Sequence, residues 1–503
     1  MNRGPRTGAA GIAGAPGSGE AIAASAGPKA PRLAFVTLGC PKNQVDSEAM
    51  LGLLTRDGFR PTGAVEDAEL VVVNTCAFLT SAVEESRKTI RAIARLKKKG
   101  RLEGLVVAGC WAQRDGAKIA AEIPGVDAVL GTGSVEKIVE LSRSVLARAR
   151  SASVAARRST SRGTRVPPRQ GPLDEVREPG GALTPLPRAL STPRHLAYLK
   201  ISEGCDHRCT FCIIPYLRGD QRSRPLDSLV AEARLLAAHG VKELILIGQD
   251  TTAYGIDLPG PDRPRLATLL KALAGIEGLA WIRVMYTYPR EWDEELMDTL
   301  GSHPKLAKYV DMPLQHIHDV MLKRMARAST RARTERLLDD IRRRIPGVSL
   351  RTSFIVGFPG ETKAHFDTLM DFARDQAFDK VVVFPYEPER EAPSSGFKGR
   401  VPERVKASRR ERLLTLQHEI STRKLAARVG GVETALIDGP AEGGRWSART
   451  QGEAYEVDGA LFVDGAGLKP GDFVPVRITG ASAYDLWGSA LAPASSTPDG
   501  GSR

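Results

Sequence analysis

The sequence predicts an α/β protein in three parts: an N-terminal parallel α/β sheet domain, a central barrel or partial barrel of six βα units, and a small C-terminal β-barrel. Three observations carry this reading. Apolar strand-like runs alternate with helical patterns between residues 33 and 146, a second alternation runs from about 195 to 425, and between 430 and 490 short strands are separated by Gly and Pro. A chain of 503 residues also exceeds what one hydrophobic core sustains, so several domains are expected.

Residues 1–32 are Gly-, Ala- and Pro-rich and lack the apolar core of a secretory signal, which marks them as a disordered tail. The N-terminal domain, 33–146, begins with the strand LAFVTL and the helical DSEAMLGLLTRDGF. It continues through the strands LVVVNT, LVVAG and AVLG and closes on the helical SVEKIVELSRSVL. Residues 147–194 are rich in Arg and Pro and are expected as a linker. The second alternation, 195–425, offers HLAYLKIS, ELILIG, WIRVMYTY, YVDMPLQ, LRTSFIVG and KVVVFPY as six strands with helical stretches between them. VETALIDG, RWSARTQGEAYEVDGALFV and DFVPVRITGA then build the small barrel over 430–490, and 491–503 form a second tail.

The formal net charge of +13 invites a nucleic-acid partner, but its location argues otherwise. Residues 1–32 carry a surplus of three positive charges, and residues 142–194 set eleven arginines against three acids. Most of the excess therefore sits on the tail and the linker, and the folded parts are nearly neutral. The C-terminal barrel is acidic, with nine acids, Glu453, Glu456 and Asp458 among them, against four bases. Such a surface repels phosphate and attracts a basic protein, so docking of a basic partner is expected there and direct nucleic-acid binding is not. No apolar run approaches the roughly 18 residues of a membrane span, so no membrane association and a cytoplasmic location are expected. In that reducing compartment clustered cysteines read as metal or catalytic sites.

All six cysteines fall into two triplets. Cys40, Cys76 and Cys110 each follow closely on the carboxyl end of a predicted strand, the edge of a parallel sheet where ligands bind. Three small buried cysteines would be unremarkable in a core; three in one register favour a shared metal site. Cys205, Cys209 and Cys212, in EGCDHRCTFC, follow the first barrel strand at C-x3-C-x2-C spacing. Three thiolates hold a four-iron cubane with one iron open to a ligand, whereas structural zinc wants four closed positions. Recruiting His207 as a fourth zinc ligand would strain so tight a loop. Further candidates are Gln249, at the end of the second barrel strand, and Gly357 in IVGFPGE, which a turn explains equally well. His316 and His318 could face the site or be structural. Lys42 and Asp46 lie near Cys40, and Asp46 is expected to cap the following helix.

CDHRCTFC resembles the C-x3-C-x-(aromatic)-C signature of radical S-adenosylmethionine enzymes, with Phe211 in the aromatic position. Together with LGCPKN, NTCAF and AGCWAQR upstream and the acidic barrel downstream, it is similar to the methylthiotransferases of that superfamily over residues 32–146 and 195–490. The resemblance implies a central radical S-adenosylmethionine partial (β/α)6 barrel and a TRAM-like C-terminal β-barrel. It also implies two [4Fe-4S] clusters, on Cys205, Cys209 and Cys212 and on Cys40, Cys76 and Cys110. S-adenosylmethionine would serve as the second cofactor, with Phe211, Gln249 and Gly357 as cofactor-contacting positions. LGCPKNQVDSE and SAYDLWG are similar to the branch that methylthiolates an aspartate of small-subunit ribosomal protein twelve, free or in the ribosomal subunit. An external reductant and a sulfur donor are then expected as further partners. The branch acting on adenosine in transfer RNA is the alternative, and a non-catalytic iron–sulfur redox protein is another. The long Arg/Pro-rich insertion before residue 195 departs from the family pattern.

Overall fold

The computed structural model describes residues 30–100, 102–162, 171, 173–178 and 185–491. Nearly all of both expected tails lies outside them. Six parallel strands form the first sheet, in the order Arg60–Pro61, Arg32–Thr37, Leu70–Thr75, Gly104–Gly109, Ala128–Leu130 and Leu173–Glu175. Every residue of Leu70–Thr75 and Gly104–Gly109 is buried, because helices cover both faces of the sheet and make continuous apolar runs favourable. Met50 and Leu54 of Pro41–Arg56 pack with Ile138 and Val145 of Ile138–Arg162 on one face, and Val83, Ile90 and Ile93 of Thr80–Lys98 on the other.

The stretch 147–194, expected as a linker, carries the end of the helix Ile138–Arg162 and the sixth strand of this sheet. Its three residues LDE show no strand pattern; the edge at Ala128–Leu130 supplies their hydrogen bonds. Farther on, the buried Arg188 donates to Glu48 (2.6 Å) and Glu232 (2.7 Å), which ties the first sheet to the central domain.

The central domain holds a short antiparallel pair beside the cysteine loop, Ser202–Glu203 and Arg222–Ser223, and six barrel strands in two parallel groups of three. Leu196–Lys200, Glu243–Ile247 and Trp281–Val284 form one; Tyr309–Asp311, Ser349–Val356 and Lys380–Pro385 form the other. The first and last strands do not pair, so the barrel is partial. Glu403–Ala426 crosses the outside, with Leu413 in the main core, and leads into a closed five-stranded barrel of Val432–Pro440, Trp446–Arg449, Leu461–Asp464, Phe473–Ala481 and Leu486–Ala490.

That small barrel sends loop 450–458 into the central one. Ala454 packs among Tyr198, Ile245 and Met285, Arg283 donates to the Gln451 carbonyl (2.7 Å), and Tyr309 Oη donates to Asp458 (2.7 Å). Beneath the loop, fully buried Glu243 accepts from Arg283 (2.9 Å) and pairs with Arg449 (2.7 Å). This overturns the expected role of two of the barrel's acids. Glu453 is buried against Arg428 (2.6 Å) and Thr450, and Asp458 turns inward to Tyr309, leaving Glu456 exposed. Composition registers the charge of these groups but not that an ion pair has already neutralised it.

Changing Glu243 to alanine leaves buried Arg283 with backbone carbonyls as its remaining partners and takes from Arg449 one of its two carboxylates, Asp438 (2.7 Å) being kept. Losing one partner of a buried pair costs about 3–5 kcal/mol, so a fall in the thermal midpoint is expected, together with earlier proteolysis at the junction with the small barrel. A midpoint equal to that of the unaltered protein would show that this contact is not what holds the barrel in place.

Candidate active site

Two glycines set up the two cysteine triplets. Gly39 precedes Cys40 with φ +101°, and a Cβ there would lie 2.8 Å from Cys76 Cβ; Gly204 precedes Cys205 with φ +82°, and a Cβ there would lie 2.0 Å from the Asp220 carbonyl. Both positions combine left-handed backbone with close approach, which glycine alone tolerates. Cys40 is the N-cap of Pro41–Arg56, Cys76 follows Leu70–Thr75 directly, and Cys110 opens the short helix after Gly104–Gly109. The three strands are neighbours in the sheet, so three cysteines spread over 70 residues of sequence share one edge.

Burial dominates the chemistry of the thiols. It pushes Cys76 up to about 12, with Cys110 and Cys40 beside it adding to the effect, and it pushes Cys205 and Cys212 up to about 12 as well. Cys110 is also raised by burial, against the pull of Arg218. As free thiols these groups keep their protons at neutral pH, so deprotonation accompanies metal binding. The C-x3-C-x2-C loop is pinned along its length. Cys205 N–H donates to the Gly219 carbonyl (3.0 Å), Thr210 N–H to the Met325 carbonyl (3.1 Å), and Ile214 N–H to Cys212 Sγ (3.4 Å). Phe211 packs on Met325, Ile355, Phe358 and Tyr386. His207 Nε2 is engaged by Asp250 (2.8 Å), and its ring stacks on Tyr288 at 3.7 Å.

The donor set fits iron–sulfur clusters. Each site offers thiols with N–H groups directed at sulfur, and among the described residues no three His, Cys, Asp or Glu side chains form a cage for a single metal ion. A cubane distributes its thiolates over different irons and asks for no such cage. Polar atoms without partners lie at the carboxyl ends of three barrel strands: Ser202 Oγ, Gln249 Oε1 and Gln315 Oε1. Gln249 is oriented by its own amide, which donates to Glu203 (2.7 Å), leaving its carbonyl as a buried acceptor for a cofactor's donor. Gly357 has φ +74°, its N–H donates to Glu361, and Lys406 fills the space over its α-carbon, as a turn requires. His316 Nδ1 accepts from two backbone N–H groups, and burial pushes its ring down to about 3, so it stays neutral; His318 caps Asp319–Arg324.

Asp46 is no cap. It sits inside Pro41–Arg56 and accepts from Lys200 (2.5 Å) and Arg218 (3.0 Å), while Glu203 accepts from the same two cations (2.6 and 2.9 Å). Arg218 also donates to Asn43 (2.7 Å). This buried group joins the helix after Cys40 to the residues just before Cys205. The wall between the triplets is segment 285–288. Tyr286, at φ +60°, carries Lys42 Nζ 3.0 Å over its ring beside Cys40, and Tyr288 carries Arg327 at 4.0 Å, with Arg327 Nη1 3.8 Å from Cys209 Sγ. Sequence reasoning missed Tyr286, Tyr288, Arg218, Glu203 and Arg327. The motif run LRGDQRSR was the only signal, and it does not say which arginine turns inward.

Three family models match the chain: Uncharacterized protein family UPF0004 over residues 32–131, the Radical SAM superfamily over 199–373, and the TRAM domain over 429–491. Among curated relatives, ribosomal protein uS12 methylthiotransferase RimO of Pelotomaculum thermopropionicum is 42% identical over 92% of this chain and 99% of its own length. The protein of the same name from an Anaeromyxobacter species is 44% identical over 92% and 93%. Among solved structures, the radical S-adenosylmethionine methyltransferase TsrM of Kitasatospora setae, with cobalamin and a [4Fe-4S] cluster bound, aligns at TM-score 0.50 and 17% identity over 71% of this chain and 75% of that one, a likeness of fold. Among the described residues no helix is long and apolar enough to cross a membrane.

Proposed function

The chain belongs to the family of ribosomal protein uS12 methylthiotransferase RimO, a radical S-adenosylmethionine family, and on that premise we propose that it methylthiolates the β-carbon of an aspartate in uS12. Two molecules of S-adenosylmethionine are used, one as methyl donor and one as radical source. The observation that carries this reading is segment 285–288, a single wall with one triplet beside Tyr286 and the other beside Tyr288. When bound, a cluster on Cys205, Cys209 and Cys212 supplies cleavage of S-adenosylmethionine to a 5′-deoxyadenosyl radical, and one on Cys40, Cys76 and Cys110 supplies the sulfur.

The chain's own residues do the positioning. Gln249, fixed by Glu203, offers its free carbonyl to the cofactor; Phe211 anchors the loop that places Cys209 and Cys212; Gly357 shapes the turn behind it. An external reductant and an external sulfur donor complete the set of partners, since cleavage consumes an electron and the inserted sulfur must be replaced. The test is anaerobic incubation of reconstituted protein with S-adenosylmethionine, sulfide and isolated uS12, read by mass spectrometry, with a methylthio mass gain on one aspartate expected. Anaerobic reconstitution should bring iron and sulfide each to about eight per chain, four for each triplet. A value near four that is unmoved by Cys40→Ala would remove the N-terminal cluster.

One observation keeps transfer RNA as the second reading. With Glu453 and Asp458 turned inward, the C-terminal barrel repels phosphate less than its composition suggests. A mass gain on transfer RNA and none on uS12 would establish that reading instead.

A further inference from the structure

Lys42 is a buried cation without a carboxylate partner among the described residues. The residue is 8% exposed, and among the described residues its ammonium meets neither a hydrogen-bond acceptor nor a carboxylate within ion-pair reach; its neighbour is the Tyr286 ring, 3.0 Å below. Of the groups that favour its charge, the Cys40 thiol comes first, and the carboxylates that follow, Asp311 and Glu203, are committed elsewhere. Asp311 pairs with Arg351 (2.7 Å) and accepts the Tyr286 N–H (3.0 Å), while Glu203 is held by Lys200, Arg218 and Gln249. The other buried cations of this wall, Lys200, Arg218 and Arg351, all have carboxylate partners. A desolvated ammonium left unpaired is costly unless an incoming group completes it.

Position identifies that group. Lys42 stands two residues from Cys40, on the wall that links the two triplets, next to Pro41 and Tyr286, which with Tyr455 and Val457 line a gap of about 10 Å³ that a substrate side chain has to widen. A substrate whose β-carbon must reach this wall brings a carboxylate attached to that same carbon. We infer that Lys42 determines specificity for aspartate, its ammonium receiving the side-chain carboxylate of the substrate and so holding the adjacent carbon in place. The inference rests on the uS12 reading above and deepens it. The strained Tyr286 backbone, clamped by Asp311 and Arg351, keeps the aromatic platform under the ammonium.

The experiment measures binding of reconstituted full-length protein to isolated uS12 and to uS12 with the target aspartate changed to asparagine, alongside KM and kcat for the aspartate form. The unaltered protein is expected to prefer the aspartate form. In Lys42→Met that preference disappears and affinity for the aspartate form falls by about thirty-fold or more, the usual consequence of removing one partner of a desolvated charge pair. KM rises accordingly, and Lys42→Arg restores most of the discrimination. A Lys42→Met protein that keeps the original aspartate-to-asparagine ratio overturns the inference. An equal loss for both forms, accompanied by loss of iron from the N-terminal triplet, also overturns it and assigns the ammonium to the cluster. If the unaltered protein binds neither form of uS12 yet modifies transfer RNA, the substrate reading itself has failed, an outcome distinct from both of these.

Discussion

Replacing Cys209 with alanine is expected to abolish formation of 5′-deoxyadenosine from S-adenosylmethionine. Cys209 is buried, and among the described residues no His, Asp or Glu is hydrogen-bonded to its Sγ; the neighbour there is Arg327, a cation that cannot replace a thiolate ligand. The loop should outlast the change. Its anchors, from Cys205 N–H to the Gly219 carbonyl, from Thr210 N–H to the Met325 carbonyl and from Gln221 N–H to Asp206 (2.9 Å), do not involve residue 209. Loss of activity therefore reports loss of a ligand rather than of the fold. Since enzymes accelerate reactions by about 10⁶-fold or more, removing the group that carries the chemistry should cost at least about 10³-fold in rate. The measurement is chromatography of the nucleoside product under reducing, anaerobic conditions, beside a melting curve. Substantial cleavage by a folded Cys209→Ala protein would show that the C-x3-C-x2-C loop is not where the radical arises.

Cys76→Ala should fail differently. The thiol lies beside Cys110 and Cys40, with its Cβ packed against Gly39, and alanine keeps that Cβ and leaves the sheet intact. Its distance from the other triplet is bridged by side chains that do not include it: Arg218 to Asn43, Asp46 and Glu203, and segment 285–288. Cleavage of S-adenosylmethionine should remain detectable while methylthio insertion falls by about 10³-fold or more, into the background of the uncatalysed reaction. Product mass on uS12 and nucleoside yield, measured in the same tube, give the ratio that decides. Methylthiolated uS12 formed at the normal rate from added sulfide would end the division of labour between the triplets.

Much of this was legible in one dimension. The run LVVVNT is too uniformly apolar and β-branched for anything but a strand covered on both faces, and burial of all six residues follows from that. The cysteines after such strands had to share an edge, because parallel strands present their carboxyl ends together. Asp46 was misjudged for the opposite reason. Its nearness to a helix start suggested a cap, whereas its partners are Lys200 and Arg218, more than 150 residues away. Glu453 and Asp458 show the same limit, since a carboxylate contributes equally to net charge whether it faces water or a buried arginine.

Local pattern by itself determined the three-part α/β architecture, the two cysteine triplets and their strand-end positions, because strand period, turn residues and ligand spacing are short-range properties of the chain. Only the tertiary structure decided which charges are spent and which are free. The insertion of loop 450–458 into the partial barrel, the buried group around Asp46 and Glu203, and the unpaired Lys42 above Tyr286 all depend on residues brought together from distant parts of the sequence. Whether a buried charge is paired is settled by the few ångströms around it once packing has removed water, and no spacing along the chain encodes that neighbourhood.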